Sequence, residues 1–145
     1  MESKLKILEL IQGIVNRMSS NSFTLKGWAV TLVAAIFVLS SDDVDKEYFV
    51  LLVLIPILMF WILDAYYLMK ERAYIKLYNK TRTIEPESID FDLATEQSSF
   101  CDYIKSFFSV AEILFYIPMT VIVTIIICIV LKDWSMSIQI LKNIQ

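Results

Sequence analysis

Residues 48–69, YFVLLVLIPILMFWILDAYYLM, carry no charge from Tyr48 to Leu63 and consist almost wholly of large apolar side chains. At a rise of about 1.5 Å per residue, roughly 20 such residues cross the hydrocarbon core of a bilayer. Two further runs, 28–39 and 113–131, have the same character. An integral membrane protein is expected, and any function has to be one that a membrane-embedded chain can perform.

The 145 residues leave room for a single domain, 1–145. Apolar residues make up 57% of the chain, above the roughly 45–50% of soluble domains, and the charges sit between and beside the apolar runs. Two glycines and three prolines point to long helices with few loops. The expected fold is all-α: an integral membrane helical bundle of three transmembrane helices, with cytoplasmic helical extensions and an amphipathic N-terminal helix.

Residues 4–18 have helical period, with Ile7, Leu8, Ile11, Ile14, Val15 and Met18 on one face and Lys6, Glu9, Gln12, Asn16 and Arg17 on the other. That face either lies in the bilayer interface or packs on the protein's own helices; the acidic and neutral residues opposite favour packing. The Ser/Asn cluster at 19–22 caps a new helix or marks a bend. Span one is placed at 23–40, with Lys26 snorkelling to the interface and Trp28 at headgroup depth. Gly27, Thr31, Ala34 and Ala35 give it a small-residue face.

The acidic link 40–47 makes spans one and two an antiparallel hairpin. Span two is placed at 48–69, and its helix is expected to continue into the basic segment beyond. Residues 84–99 contain Pro86 and five carboxylates without a basic partner, the pattern of a solvated loop or a short capped helix. A helix with Phe100, Ile104, Phe107, Phe108 and Ala111 on one face is expected to run straight into span three, 112–131. Pro56 and Pro118 should kink spans two and three. The tail, 133–145, is amphipathic and should lie on the outer surface or cap the helices.

Ten of the thirteen basic residues stand before span one or between spans two and three; only Lys46, Lys132 and Lys142 lie on the other side. The positive-inside rule then puts the N-terminus and the helical segment 70–111 in the cytoplasm. No cleavable signal peptide is expected, because the N-terminus is amphipathic and lacks an uninterrupted apolar core.

Three ionisable residues, Lys26, Asp64 and Glu112, fall at the cytoplasmic ends of three different spans. Charges at that depth are costly unless paired or wet. They either hold the helices in register or form a charged ring at the mouth of an oligomeric pore. In span three, Glu112, Tyr116, Thr120, Thr124 and Cys128 recur every four residues. Such a face either lines a narrow wet path or satisfies hydrogen bonds within the protein. The pore or gate candidates are thus Lys26, Asp64, Glu112, Tyr116, Thr120 and Thr124.

Residues 70–82 hold Arg72, Lys76, Lys80 and Arg82 with Tyr74 among them. Cations at the end of a membrane helix often only meet anionic lipid headgroups. The same mixture also suits a nucleotide or single-stranded nucleic acid, phosphates on the cations and bases on the rings. The chain has no histidine, no Gly-rich phosphate loop, no HExxH and no CxxC. Catalytic and metal-ligating residues, enzymatic activity and cofactors are therefore not expected. Cys101 and Cys128 match no metal spacing and are not expected to pair.

The strings IQGIVNRMSSNSFTLKGWAVTL and FWILDAYYLMKERAYIKLYNK resemble a family of small bacterial membrane proteins encoded beside nucleotidyltransferase-like enzymes, the membrane effectors of Hailong-type anti-phage defence. In that family an IQ-x-x-(V/I)-x-RM block leads to NSF-x-LKGW, and a later D-x-Y-Y-L-x-x-E-R block closes span two. The resemblance covers residues 11–80, and the rest by arrangement alone. It implies a homo-oligomeric, tetrameric ion channel controlled by an oligonucleotide from the partner nucleotidyltransferase and depolarising the infected cell. A reading independent of the resemblance is a non-channel membrane anchor or regulatory subunit that recruits a cytoplasmic partner.

Overall fold

A computed structural model describes residues 2–39, 46–85 and 92–144. Most of the acidic link and Pro86 lie outside the described residues, as do the side chains of the tail from 133 onward. The chain forms α1 (Glu2–Leu39), α2 (Lys46–Thr83), α3 (Phe100–Phe107) and α4 (Val110–Ile144). Among the described residues there is no strand. Three helices are long and apolar enough to cross a membrane, with candidate segments Glu2–Val38, Phe49–Thr83 and Val110–Ile129.

The Ser/Asn cluster neither starts a new helix nor ends the first one. α1 is a single helix of 38 residues, about 57 Å long. The reason lies in the phase of its inner face. Ile7, Ile11, Met18, Ser22, Leu25, Ala29, Val33 and Ile36 are all buried or half-buried, and from Met18 onward they follow at spacings of four or three. This stripe passes through Ser22 without a phase shift, so one straight helix buries both halves. A serine costs only a few tenths of a kcal/mol of helix propensity, and packing along the whole face outweighs it. Thr24 donates its hydroxyl to the Ser20 carbonyl (2.9 Å), inside the helix.

α2 runs antiparallel to α1 over their whole length. Phe37 meets Phe49 edge-on at one end (5.6 Å between centroids), and Lys26 meets Asp64 midway. At the other end Lys4 Nζ donates to the carbonyls of Arg82 (2.8 Å) and Ile84 (2.6 Å). A cation there offsets the partial negative charge at the C-terminus of α2. The apolar parts of both helices thus lie at one end, and their polar parts, 2–18 of α1 and 70–83 of α2, project together at the other.

Both parts bury an apolar seam, but for different reasons. In lipid, helices gain nothing from removing apolar surface from water, so contact rests on packing and polar ties. Val33, Phe49, Val53, Ile57, Tyr116, Val123 and Ile127, from α1, α2 and α4, make that contact. Away from the apolar runs, taking Ile7 and Ile11 out of water would be worth about 1.5–3 kcal/mol each.

α3 does not run into α4. It starts with a capping box: Ser99 Oγ accepts from the Cys101 amide (3.4 Å), and Asp102 Oδ2 accepts from the Ser99 amide (3.1 Å). The helix ends at Phe108, and Ser109 then starts a new one, its Oγ accepting from the Glu112 amide (3.4 Å). A serine here offers the backbone a cap in place of another helical turn. α2 and α4 continue through Pro56 and Pro118 as helices.

Gly13 lies inside α1 with nothing within 4 Å of where a Cβ would stand. Gly13→Ala should raise stability by about 1 kcal/mol, read as a higher thermal midpoint in detergent. A lowered midpoint would mean that Gly13 is packed against something outside this chain.

Candidate functional site

Lys26, Asp64 and Glu112 come from α1, α2 and α4 and meet in one cluster. Lys26 Nζ donates to Asp64 Oδ2, to Glu112 Oε1 (3.1 Å) and to Ser22 Oγ (3.1 Å). Tyr116 adds its hydroxyl to Asp64 Oδ2 (3.2 Å). The ammonium also stands over the rings of Phe115 (5.8 Å) and Tyr116 (5.9 Å), whose faces attract a cation. Asp64 and Glu112 are 0% and 1% exposed, while the Lys26 side chain keeps 19%. Lys26, Asp64, Glu112 and Tyr116 therefore face one another inside a single chain.

Thr120 and Thr124 do not join them. Their hydroxyls donate to the carbonyls of Tyr116 and Thr120, each at 2.7 Å within α4, and Thr124 is exposed. Cys128 is exposed too. A strict four-residue repeat advances by about 40° per step around a helix of 3.6 residues per turn. By Thr124 it has left the buried face, which instead follows Glu112, Tyr116, Val123 and Ile127.

Trp61 buttresses the cluster. Its ring stacks between Phe107 (4.5 Å, 8°) and Tyr116 (5.5 Å, 6°), and its Nε1 donates to the Phe107 carbonyl (3.1 Å). Tyr103 donates to the Ile62 carbonyl (2.9 Å), and burial pushes its phenol above the ordinary value. These contacts hold α3 against α2 beside the charged cluster. Of the apolar face expected at Phe100, Ile104, Phe107, Phe108 and Ala111, only Phe107 packs here, and Trp61 as its partner has no sequence signal.

The basic candidates divide. Arg72, Lys76 and Lys80, at i, i+4 and i+8 of α2, line a cavity of about 350 Å³. Lys105 of α3 joins them, and Glu96, Gln97, Ser98 and Asp102 form the facing wall. Arg72 donates to Ser106 Oγ (3.3 Å) and to the Lys105 carbonyl (3.4 Å), which anchors it; Lys80 pairs loosely with Glu96 at 3.5 Å. Tyr74 and Arg82 do not line this cavity, and its wall has no aromatic ring. Lys105, Glu96 and Asp102 escape a reading that follows one helix at a time, since they arrive from beyond a turn of chain.

The chain is thus a helical protein with three candidate membrane spans, a buried charged cluster and a separate basic cavity. No family model, no curated protein and no solved structure matches it.

Lys26→Met should be strongly destabilising, because it strands two buried carboxyls; breaking such a pair costs about 3–5 kcal/mol. The check is the thermal midpoint of the detergent-purified variant against wild type. A loss below about 1 kcal/mol would show the cluster to be solvated rather than structural.

Proposed function

We propose that the chain is a homo-oligomeric ion channel of the bacterial inner membrane, gated by a nucleotide or oligonucleotide and acting as an anti-phage defence effector. The N-terminus and the 70–110 segment would lie in the cytoplasm, as the distribution of basic residues favours. The observation that carries the reading is the position of α3. One side of it lines the basic cavity through Asp102, Lys105 and Ser106, and its end abuts α4 shortly before Glu112. An anion drawn in by Arg72, Lys76, Lys80 and Lys105 would pull on α3, and through Phe107 and Trp61 on the charged cluster. In this scheme Lys26, Asp64, Glu112 and Tyr116 are the joint on which gating acts. Thr120 and Thr124 stand on a mostly apolar face of α4 that closes a path by dewetting.

The resemblance supplies the oligonucleotide, the tetrameric state and the partner nucleotidyltransferase. The cavity supports its phosphate half, through cations at helical spacing, and offers no ring for base stacking. One observation favours the anchor reading: Phe100, Ile104 and Phe108 of the α3 region are exposed, at 75%, 39% and 58%. A partner protein docked there would account for them without conduction.

Purified protein is expected to run as a symmetric oligomer in detergent and to give single-channel currents in planar bilayers. A single-stranded oligonucleotide added on the side facing the basic segment should alter those currents. Arg72→Glu combined with Lys76→Glu should abolish that response and flatten the salt dependence of binding, by about 0.7 in log–log slope for each phosphate no longer neutralised. Unchanged affinity would remove the ligand site, and a monomer silent in bilayers would remove the channel.

A further inference from the structure

The cluster at Lys26 is unbalanced. One ammonium faces two carboxyls, and each of the two keeps an oxygen, Asp64 Oδ1 and Glu112 Oε2, that is buried and has no hydrogen-bond partner. Buried polar atoms are almost always satisfied, so each such atom calls for an explanation. Acceptors need donors, and those nearby are already engaged. The Lys26 ammonium serves the opposite oxygen of each carboxyl and Ser22, and the Tyr116 hydroxyl serves Asp64 Oδ2. Burial within the chain also keeps lipid headgroups and neighbouring copies away from the two atoms.

The two carboxyls are drawn together on one ammonium, since both accept from Lys26 Nζ. Like charges that close, out of water, do not both ionise at neutral pH; such a pair holds one proton between them. We propose that Asp64 and Glu112 form a proton-binding site, one proton shared by their carboxyls, so that the cluster with Lys26 is electrically neutral. The bound proton supplies the missing donor: the carboxyl carrying it donates an O–H to the other. On release the proton goes to the aqueous phase and leaves one uncompensated negative charge where three helices touch.

The surrounding groups favour an occupied site. From α1 the facing charge is Lys26, and from α4 the neutral Tyr116 phenol. From α2 the facing groups are Asp64 itself and Glu71, two turns further on, whose carboxyl feels the positive charges of Arg72 and Lys26 and the negative charge of Asp64. α3 turns its charged side chains, Asp102 and Lys105, to the cavity, and its Tyr103 phenol donates to the Ile62 carbonyl. No ammonium or guanidinium besides Lys26 makes a hydrogen bond to either carboxyl among the described residues. A metal cation is a poorer occupant than a proton, because it needs several oxygens and would sit beside the Lys26 ammonium. The site stands independently of whether the chain conducts.

The test is infrared spectroscopy of the purified full chain in H₂O and D₂O. At neutral pH wild type should show the carbonyl band of a neutral carboxyl, equivalent to one group per chain and shifted in D₂O. Asp64→Asn and Glu112→Gln should each abolish it. The folded state then binds more protons than the unfolded state, so the wild-type thermal midpoint should fall as pH rises from neutral, and Glu112→Gln should lose that dependence. A wild-type spectrum without the band, which needs no variant to fold, overturns the proposal, as does a band that survives the Asp64→Asn, Glu112→Gln double variant. A midpoint that depends on sodium, against N-methylglucamine at fixed pH, would put a metal cation in the site and overturn it as well.

Discussion

An ammonium shared by two carboxyls, with one member on each of three helices, is the constraint on which this arrangement rests. Between helices in lipid no hydrophobic force selects one register over another. A charge without a partner at that depth costs several kcal/mol, far more than any single apolar contact gains. Lys26 must therefore find Asp64 and Glu112. Once it does, the antiparallel register of α1 and α2 is set, with Lys4 at the end of α2 and Phe37 on Phe49. The position of α4 follows from Glu112 and from Tyr116, which stacks on Trp61 while reaching Asp64.

The short helix α3 joins this cluster to the basic cavity. Its capping box fixes where it begins, and Ser109 fixes where it ends. Between those points one stretch contributes Asp102, Lys105 and Ser106 to the cavity and Phe107 to the stack on Trp61. Two sites that would be independent surfaces on a longer helix are thereby mechanically linked. The proposed gating draws on that linkage, and the proposed proton site lies at its far end.

The sequence was most informative where one helix face settles the matter. Ile7 and Ile11 are buried as their periodicity requires, and Glu9, Gln12 and Asn16 opposite them are exposed. It misled where a local signal competes with a longer pattern. The serines at 19, 20 and 22 resemble a cap, yet the inner stripe of α1 keeps its phase through them, and a long packed face outweighs a weak local preference. At Ser109 the reverse holds: the apolar pattern continues, but a hydroxyl takes the amide of Glu112 and starts a new helix. The polar residues spaced by four in α4 looked like one face; their drift around the helix carries Thr124 and Cys128 outward.

Composition and the lengths of the apolar runs were enough to determine three helices able to cross a membrane, because the need for about 20 apolar residues is a property of the chain alone. They also placed Lys26, Asp64 and Glu112 each at an end of a different apolar run, since that position follows from distance along the chain. Which charges touch, and which oxygens are left over, was decided only by tertiary structure. Rotation of one helix about its axis against another depends on side chains from every helix at once, and no segment contains that information. The cavity is of the same kind: Arg72, Lys76 and Lys80 share a face by local geometry, but Glu96 and Lys105 reach it only because the chain turns back after α2.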